Sequence, residues 1–347
     1  METSSAILSQ WDLYVFTGTG NTLQVARWIQ QHAAEAGVPV SITLLPVPSS
    51  AGSASVTHGI GLLTPAHGFT ATWAMLQFAW SLPVGRGRSA FCAATRAGSR
   101  IWGWYLPGFE GTACLLLAVI LWLKGYKVLG FAGFDMPSNW TALHAGYRPA
   151  AVDALEVRAR PHVYRFTDRL LSGQRHYNVI PPLLGLLVAQ ISLLYLLVGR
   201  FVLAKLFYAD YRCNGCRRCV KACPFQAIRM VSGRPFWTVS CESCMRCMTE
   251  CPQLSVQASH PWAVLLCAGS SLPVGVWLSS AWIRMLPGSH LPGWLVTMAG
   301  YVWSVVLACV AYLVLHLALR WRPLNRFLTA CTPTRWYRRY RNPVLNR

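Results

Sequence analysis

The chain is 347 residues long, 54% hydrophobic and only 12% charged, with 16 Trp and a formal net charge of +20. So few charges, with a mean hydropathy of +0.36, exclude a disordered chain or an ordinary fully soluble one, and point to a membrane-associated chain of two or three domains. A positive excess of this size fits nucleic acid when it gathers on a polar domain. Here the basic residues flank apolar segments, as the positive-inside bias places them, so no nucleic-acid partner is expected.

The opening METSSAILSQWDLY has neither a basic n-region nor a long apolar run, so no cleaved signal peptide is expected. Residues 12–16, DLYVF, read as a strand. The turn Thr17-Gly18-Thr19-Gly20-Asn21-Thr22 follows, and then an amphipathic segment ending at Gly37 reads as a helix. Backbone N–H groups at a helix N-terminus, supplemented by threonine hydroxyls, make an anion cradle. The turn lacks the Gly-Lys-Ser/Thr of a nucleoside-triphosphate loop and the G-x-G-x-x-G of a dinucleotide fold. Neutral hydroxyls suit the phosphate monoester of FMN, and the hexapeptide resembles the flavodoxin phosphate loop, T-x-T-G-x-T. A Thr/Gly-rich turn without a ligand is the plainer alternative.

Apolar runs at 39–45, 59–64, 89–94 and 127–133 alternate with helix-like stretches at 71–81, 110–124 and 151–172. That rhythm predicts an α/β, doubly wound parallel sheet over residues 10–175, with its ligand at the strand carboxyl ends. The loops there are Pro65–Thr72 and Thr95–Gly108. Trp102, Trp104 and Tyr105 in the second are candidates to face an isoalloxazine ring; packing or membrane-interface anchoring accounts for them equally well.

The apolar segment within 176–204, residues 179–204, is long enough for one crossing. One crossing would put the domains before and after it on opposite sides of a bilayer, and the 205–260 stretch carries eight Lys/Arg against three acids. A non-crossing, interfacial or re-entrant segment broken near Pro181-Pro182 is therefore expected.

Residues 213–252 carry C-x2-C-x2-C-x3-C-P twice: Cys213, Cys216, Cys219 and Cys223, then Cys241, Cys244, Cys247 and Cys251. Structural zinc needs only two cysteine pairs, and disulfides fit poorly with cysteines so concentrated in one stretch. The pattern over about 205–258 resembles the dicluster ferredoxin domain. The resemblance implies two [4Fe–4S] clusters with an exchanged fourth ligand: Cys213, Cys216, Cys219 and Cys251 on one, Cys241, Cys244, Cys247 and Cys223 on the other. Cys92, Cys114, Cys267, Cys309 and Cys331 are expected to be buried hydrophobes.

A flavodoxin-like domain ahead of such a ferredoxin resembles a family of prokaryotic flavodoxin–ferredoxin fusion proteins. Met136-Pro137-Ser138-Asn139-Trp140 resembles that family's Met-Pro-x-Asn-aromatic element. Soluble members lack the apolar segments of this chain. Residues 261–283 and 294–319 are each long enough to span, forming a hairpin over 260–320 with a Pro/Gly turn, RMLPGSHLPG. The basic tail 321–347 anchors that end in the cytoplasm. His260, His290 and His316 show no matched pair, so haem is not expected.

No acid–base pair or nucleophile constellation stands out, so no catalytic residue is assigned. The expectation is an electron-transfer oxidoreductase of the prokaryotic inner membrane, its cofactor domains facing the cytoplasm. It would relay low-potential electrons through FMN and two clusters, between soluble ferredoxin or flavodoxin and a membrane or reductive partner. Arg217, Arg218, Lys221 and Arg246 should raise the potentials and steer acidic partners. The alternatives are an FMN-dependent reductase of a quinone or small substrate, a redox-sensing assembly protein, and a flavodoxin scaffold without flavin.

Overall fold

The computed structural model describes residues 10–46, 58–269, 271–284 and 292–346. The opening residues 1–9 and most of the Pro/Gly turn, 285–291 with His290, lie outside the described residues. The chain divides into two compact units: Met1–Trp140, Gly146–Leu196 and Arg338–Arg347 form the first, Thr141–Ala145 and Leu197–Tyr337 the second.

In the first unit the expected runs become β1 (Trp11–Val15), β2 (Val40–Leu44), β3 (Gly59–His67), β5 (Ser89–Ile101) and β7 (Lys127–Pro137), all parallel and ordered β2-β1-β3-β5-β7, with β8 (His176–Tyr177) on the far edge. This is the doubly wound, flavodoxin-like order. Leu13, Val15, Leu62, Leu63, Ala93 and Ala94 are buried, as near-continuous apolar strands must be when both sheet faces are covered. Helices α1 (Asn21–Glu35) and α4 (Pro149–Leu171) pack together on one face. Helices α2 (Trp73–Ser81) and α3 (Ala113–Leu123) cover the other. Trp11, Trp28, Phe91, Phe134 and Phe166 fill the core under α1 and α4.

Two expected loops are strand extensions instead. β3 runs on to His67 and turns back through Gly68 and Phe69 into β4 (Thr70–Ala71). β5 runs to Ile101 and pairs with β6 (Trp104–Leu106). Trp102 (φ 49°) and Gly103 (φ 86°) form the tip, and two positive φ values in succession suit the twist of a two-residue hairpin.

The apolar segment folds as α5 (Ile180–Leu187), α6 (Ala189–Leu194), a π-helical turn at Tyr195–Gly199 and α7 (Arg200–Ala204). Pro181 and Pro182 lie in the first turn of α5, where a missing N–H breaks no helical bond. The interruptions fall instead at Val188 and in the π turn. Ser192 Oγ donates to Phe69 O at 3.0 Å, and Gly185 lies against Gly111, fixing α5 and α6 to the α2–α3 layer.

In the second unit, β9 (Phe207–Ala209) pairs antiparallel with β12 (Val256–Ala258), and β10 (Ile228–Val231) with β11 (Arg234–Trp237). Short helices α8 (Arg218–Ala222) and α9 (Arg246–Glu250) lie between them in sequence. Two stretches, His260–Trp282 and Gly293–Ala318, are long and apolar enough to cross a membrane. The first contains α10 (His260–Gly269) and most of α11 (Leu272–Arg284); the second is α12 (Gly293–Ala318). α11 and α12 meet at small residues, Gly275 against Gly300 and Ser304, which let helix backbones approach closely. Near the end of α12, Tyr312 Oη donates to Phe207 O (3.0 Å) and accepts from Trp237 N–H (3.3 Å), pinning the helix to β9 and β11.

Residues beyond α12 are folded. In α13 (Arg322–Ala330) buried Asn325 donates to Ala209 O at 3.2 Å, and Thr334 donates to Gln257 Oε1 at 2.8 Å. Cys92 and Cys114 are buried as expected and Cys309 is half-buried, but Cys267 and Cys331 are exposed. Neither of the exposed thiols is a core residue.

Candidate functional site: two cysteine quartets and a filled cradle

The two cysteine motifs build the same backbone twice, 28 residues apart. Arg217 (φ 60°) and Met245 (φ 64°) are left-handed residues that open α8 and α9. Cys223 and Cys251 end those helices at nearly identical dihedrals, φ −73° and ψ 113° against φ −75° and ψ 112°. A tight loop thus presents the first three thiols of each motif, and the short helix carries the fourth away.

The fourth thiol goes to the other motif's cavity. Cys213, Cys216, Cys219 and Cys251 line one cavity, with Met230, Pro235 and Val256 as apolar walls. Cys223, Cys241, Cys244 and Cys247 line a second, walled by Phe207, Ile228 and Trp237. Each cavity is thus lined by three cysteines of one motif and the fourth of the other. Among the described residues, no group of three or more His, Cys, Asp or Glu is arranged to hold a single metal ion. Each quartet instead rings a space, which is what a cubane with one thiolate per iron requires.

The electrostatics fit a cationic guest. Burial pushes the Cys219 and Cys244 thiols up to about 11 and Cys241 up to about 12, and raises Cys247 as well. Three of these raised thiols line the second cavity, where iron would supply the positive charge that lets them ionise. Backbone donors also face the sulfurs: Ala227 N–H reaches Cys223 Sγ and Ser255 N–H reaches Cys251 Sγ, both at 3.3 Å. These two contacts are again 28 residues apart.

The cavities differ in setting. The first opens at Cys216, an exposed thiol beside exposed Arg217 and Arg218. The second lies near a buried cation that no sequence motif singles out. Lys205 is 2% exposed; its Nζ donates to Trp237 O at 2.8 Å and sits 4.9 Å from the Tyr312 ring centroid. Burial lowers its pKa, and the neighbouring Cys309 and Cys241 thiols oppose that shift.

In the first unit the turn Thr17, Gly18, Thr19, Gly20, Asn21 and Thr22 joins β1 to α1, with all six residues buried. Thr22 Oγ1 meets Thr95 Oγ1 at 2.9 Å, and Gly20 N–H donates to Thr17 Oγ1 at 3.1 Å. The Met136–Trp140 element reaches the turn. Asn21 Nδ2 donates to Pro137 O at 2.7 Å, and Asn139 donates to Thr19 Oγ1.

The mouth of this cradle is closed by the chain's own C-terminal segment. Asn342 N–H donates to Thr19 O at 2.8 Å, and Tyr340 Oη donates to Asn21 Oδ1 at 2.8 Å. Asn342 Nδ2 donates to Glu156 Oε1 at 2.7 Å. Gly20 has φ +107°, and a Cβ there would fall 2.7 Å from that of Asn342, so only glycine permits the approach. Tyr195 closes the β3 end similarly: a Cβ on Gly68 would fall 2.3 Å from its ring. The hydroxyl chemistry suits a phosphate, but the space does not admit FMN while Tyr340–Leu345 stays in place. Trp102 and Trp104 point outward, 96% and 78% exposed, while Tyr105 lies under Arg158, 4.6 Å from its guanidinium carbon. Tyr105 also lines a cavity of about 360 Å³ with Arg96, Asp135, Arg158 and His162.

Residues 212–256 match the 4Fe-4S dicluster domain family. No curated protein matches the chain. Among solved structures, oxidised flavodoxin 1 from Bacillus cereus is similar at 15% identity and TM-score 0.33, over 47% of this chain and 98% of that one. A short-chain flavodoxin associated with a non-canonical PDU bacterial microcompartment gives 12% and 0.34, over 48% and 97%. Two-electron reduced Megasphaera elsdenii flavodoxin gives 17% and 0.29, over 45% and 98%.

Proposed function

We propose that this chain is an iron–sulfur electron relay holding two [4Fe–4S] clusters, one on Cys213, Cys216, Cys219 and Cys251, the other on Cys223, Cys241, Cys244 and Cys247. The observation that carries the reading is the exchange of Cys223 and Cys251 between two separate cavities. A cubane passes single electrons, and the protein contributes position and potential. The exposed, cationic edge at Cys216, Arg217 and Arg218 is the port for an acidic soluble donor or acceptor of the ferredoxin or flavodoxin kind. The second cluster lies beside Tyr312 of α12 and Lys205, on the side of the apolar helices. Those helices anchor the relay in a prokaryotic inner membrane, with both units on the cytoplasmic side and the 180–204 segment not crossing. A membrane or reductive partner, such as a quinone-linked one, takes the electron there.

FMN enters this reading conditionally. The threonine-lined turn supports a phosphate, and the C-terminal segment stands where that phosphate would lie, so flavin binding requires Tyr340–Leu345 to leave.

Stopped-flow reduction of the detergent-purified protein by a reduced acidic ferredoxin tests the relay. Cluster bleaching should slow steeply as salt rises from about 50 to 500 mM, because screening removes the steering. No bleaching, or a rate indifferent to salt, would refute the port.

A further inference from the structure

The two helical layers of the first unit have opposite outer surfaces. In α1 and α4 the outward side carries charge of both signs: Arg27, Asp153, Arg158, Arg165, Asp168 and Arg169 are all exposed. That is how a doubly wound domain normally meets water. Helices α2, α3, α5 and α6 contain no Asp, Glu, Lys or Arg at all. Their inner side is used in the ordinary way, with Met75, Leu117, Ile120 and Leu121 buried against the sheet. Their outer side is apolar too. Trp122 is 69% exposed, Leu123 60% and Leu187 74%, with Trp80, Leu183 and Leu194 exposed beside them in the same layer. α5 and α6 bury Gly185 and Ser192 against the unit and turn their leucines outward.

We propose that this α2–α3–α5–α6 layer is a lipid-contacting face, seated in the headgroup–acyl boundary of the bilayer. Three observations favour lipid over a protein partner. First, the outer side of these helices offers no charged group with which a partner's polar rim could pair. Second, the rim has the composition of a membrane interface. Trp80 and Trp122 close α2 and α3, Lys124 Nζ donates to Trp80 O at 2.8 Å, and Arg86 and Lys127 are exposed in the adjoining turns. Residues 82–88 and 124–127 contain basic residues and no acid, which complements anionic headgroups. Third, the same chain carries two helices of membrane-spanning length, so a bilayer is the surface within its reach. An interfacial helix pair with one packed side and one leucine side is the arrangement that lies in, and does not cross, the boundary. The lipid face rests on the membrane anchoring proposed above, and not on the identity of the electron partners.

The test places the photocrosslinking residue p-benzoylphenylalanine at 123, 187 or 165 in the full-length protein, in liposomes of phosphatidylglycerol and phosphatidylcholine. Positions 123 and 187 are exposed on the apolar layer, and 165 is exposed on α4, so no core packing is disturbed. Mass spectrometry after irradiation should find lipid adducts at 123 and 187 at least about tenfold above those at 165, with 123 favouring phosphatidylglycerol. Equal lipid yields at all three positions would overturn the proposal. So would adducts at 123 and 187 to a second copy of the chain, or to a partner protein when the experiment is repeated in native membranes.

Discussion

Replacing Tyr340 by Phe and Asn342 by Ala should open the phosphate cradle to flavin. The closed segment is tied down by Tyr340 Oη on Asn21 Oδ1 and Asn342 Nδ2 on Glu156 Oε1; within the segment Asn342 Nδ2 also donates to Tyr340 Oη at 3.3 Å and Asn342 Oδ1 receives Val344 N–H at 3.1 Å. Each buried hydrogen bond contributes about 1 kcal/mol net. Tyr340→Phe and Asn342→Ala each remove one tie between the segment and the rest of the unit, while the Asn342 backbone bond to Thr19 survives both. When a ligand binds only the open form, its apparent affinity is reduced by the fraction open. Each kcal/mol taken from the closed form should therefore tighten FMN about fivefold. The expected gains are ~5-fold for each single variant and ~30-fold for the two together. Quenching of FMN fluorescence, titrated against detergent-purified full-length protein, reads both. The same dissociation constant for the wild type and both variants would show that the segment does not compete with flavin. Absence of binding even in the double variant would remove FMN from the reading altogether.

Other outcomes follow from the two units. Lys205→Met removes a buried cation beside the second quartet, and should lower that cluster's potential by about 40–80 mV, corresponding to ~1–2 kcal/mol for one electron; a potentiometric EPR titration would show one wave moving and the other still. Cys223→Ala should abolish or convert the cluster of Cys241, Cys244 and Cys247 while sparing the one on the motif to which Cys223 belongs by sequence. If its own motif's cluster is lost instead, the exchange is wrong. Burial lowers the His67 pKa to about 4. The unfolded chain then binds the extra proton first, so the first unit is stable above the ordinary imidazole pKa and loses up to about 3 kcal/mol as pH falls from 6.5 towards 4. His67→Phe should flatten that slope in thermal melts followed by tryptophan fluorescence.

The parts legible in the sequence are those where chemistry dictates spacing or burial dictates a run. The cysteine spacing carries the resemblance to dicluster ferredoxins that implied the quartets, and parallel strands covered on both faces must be continuous apolar runs, so the two groups of four and β1, β2, β3, β5 and β7 were readable. Less so were the features decided by distant partners. The β5 run-on through Trp102-Gly103 depended on pairing with β6, although the Gly after an exposed aromatic was a turn signal. A proline pair such as Pro181-Pro182 predicts a break because it interrupts most helices, yet at a helix start it does not. The arginines after residue 320 disguised a folded segment, because Asn325, Thr329, Thr334, Tyr340 and Asn342 are short or amphipathic groups whose burial depends on remote partners. Tyr340 meets Asn21 across 319 residues. Lys205 looked like one more positive-inside charge, and only packing around Trp237 and Tyr312 shows it to be buried.

Metal and sulfide analysis of the protein purified anaerobically in detergent, joined to EPR of the dithionite-reduced form, measures the central assignment most directly. Two cubanes on exchanged quartets predict about eight iron and eight sulfide per chain, and a spectrum broadened by two interacting spins. About four iron, tetrahedral zinc in their place, or two magnetically independent centres would contradict it.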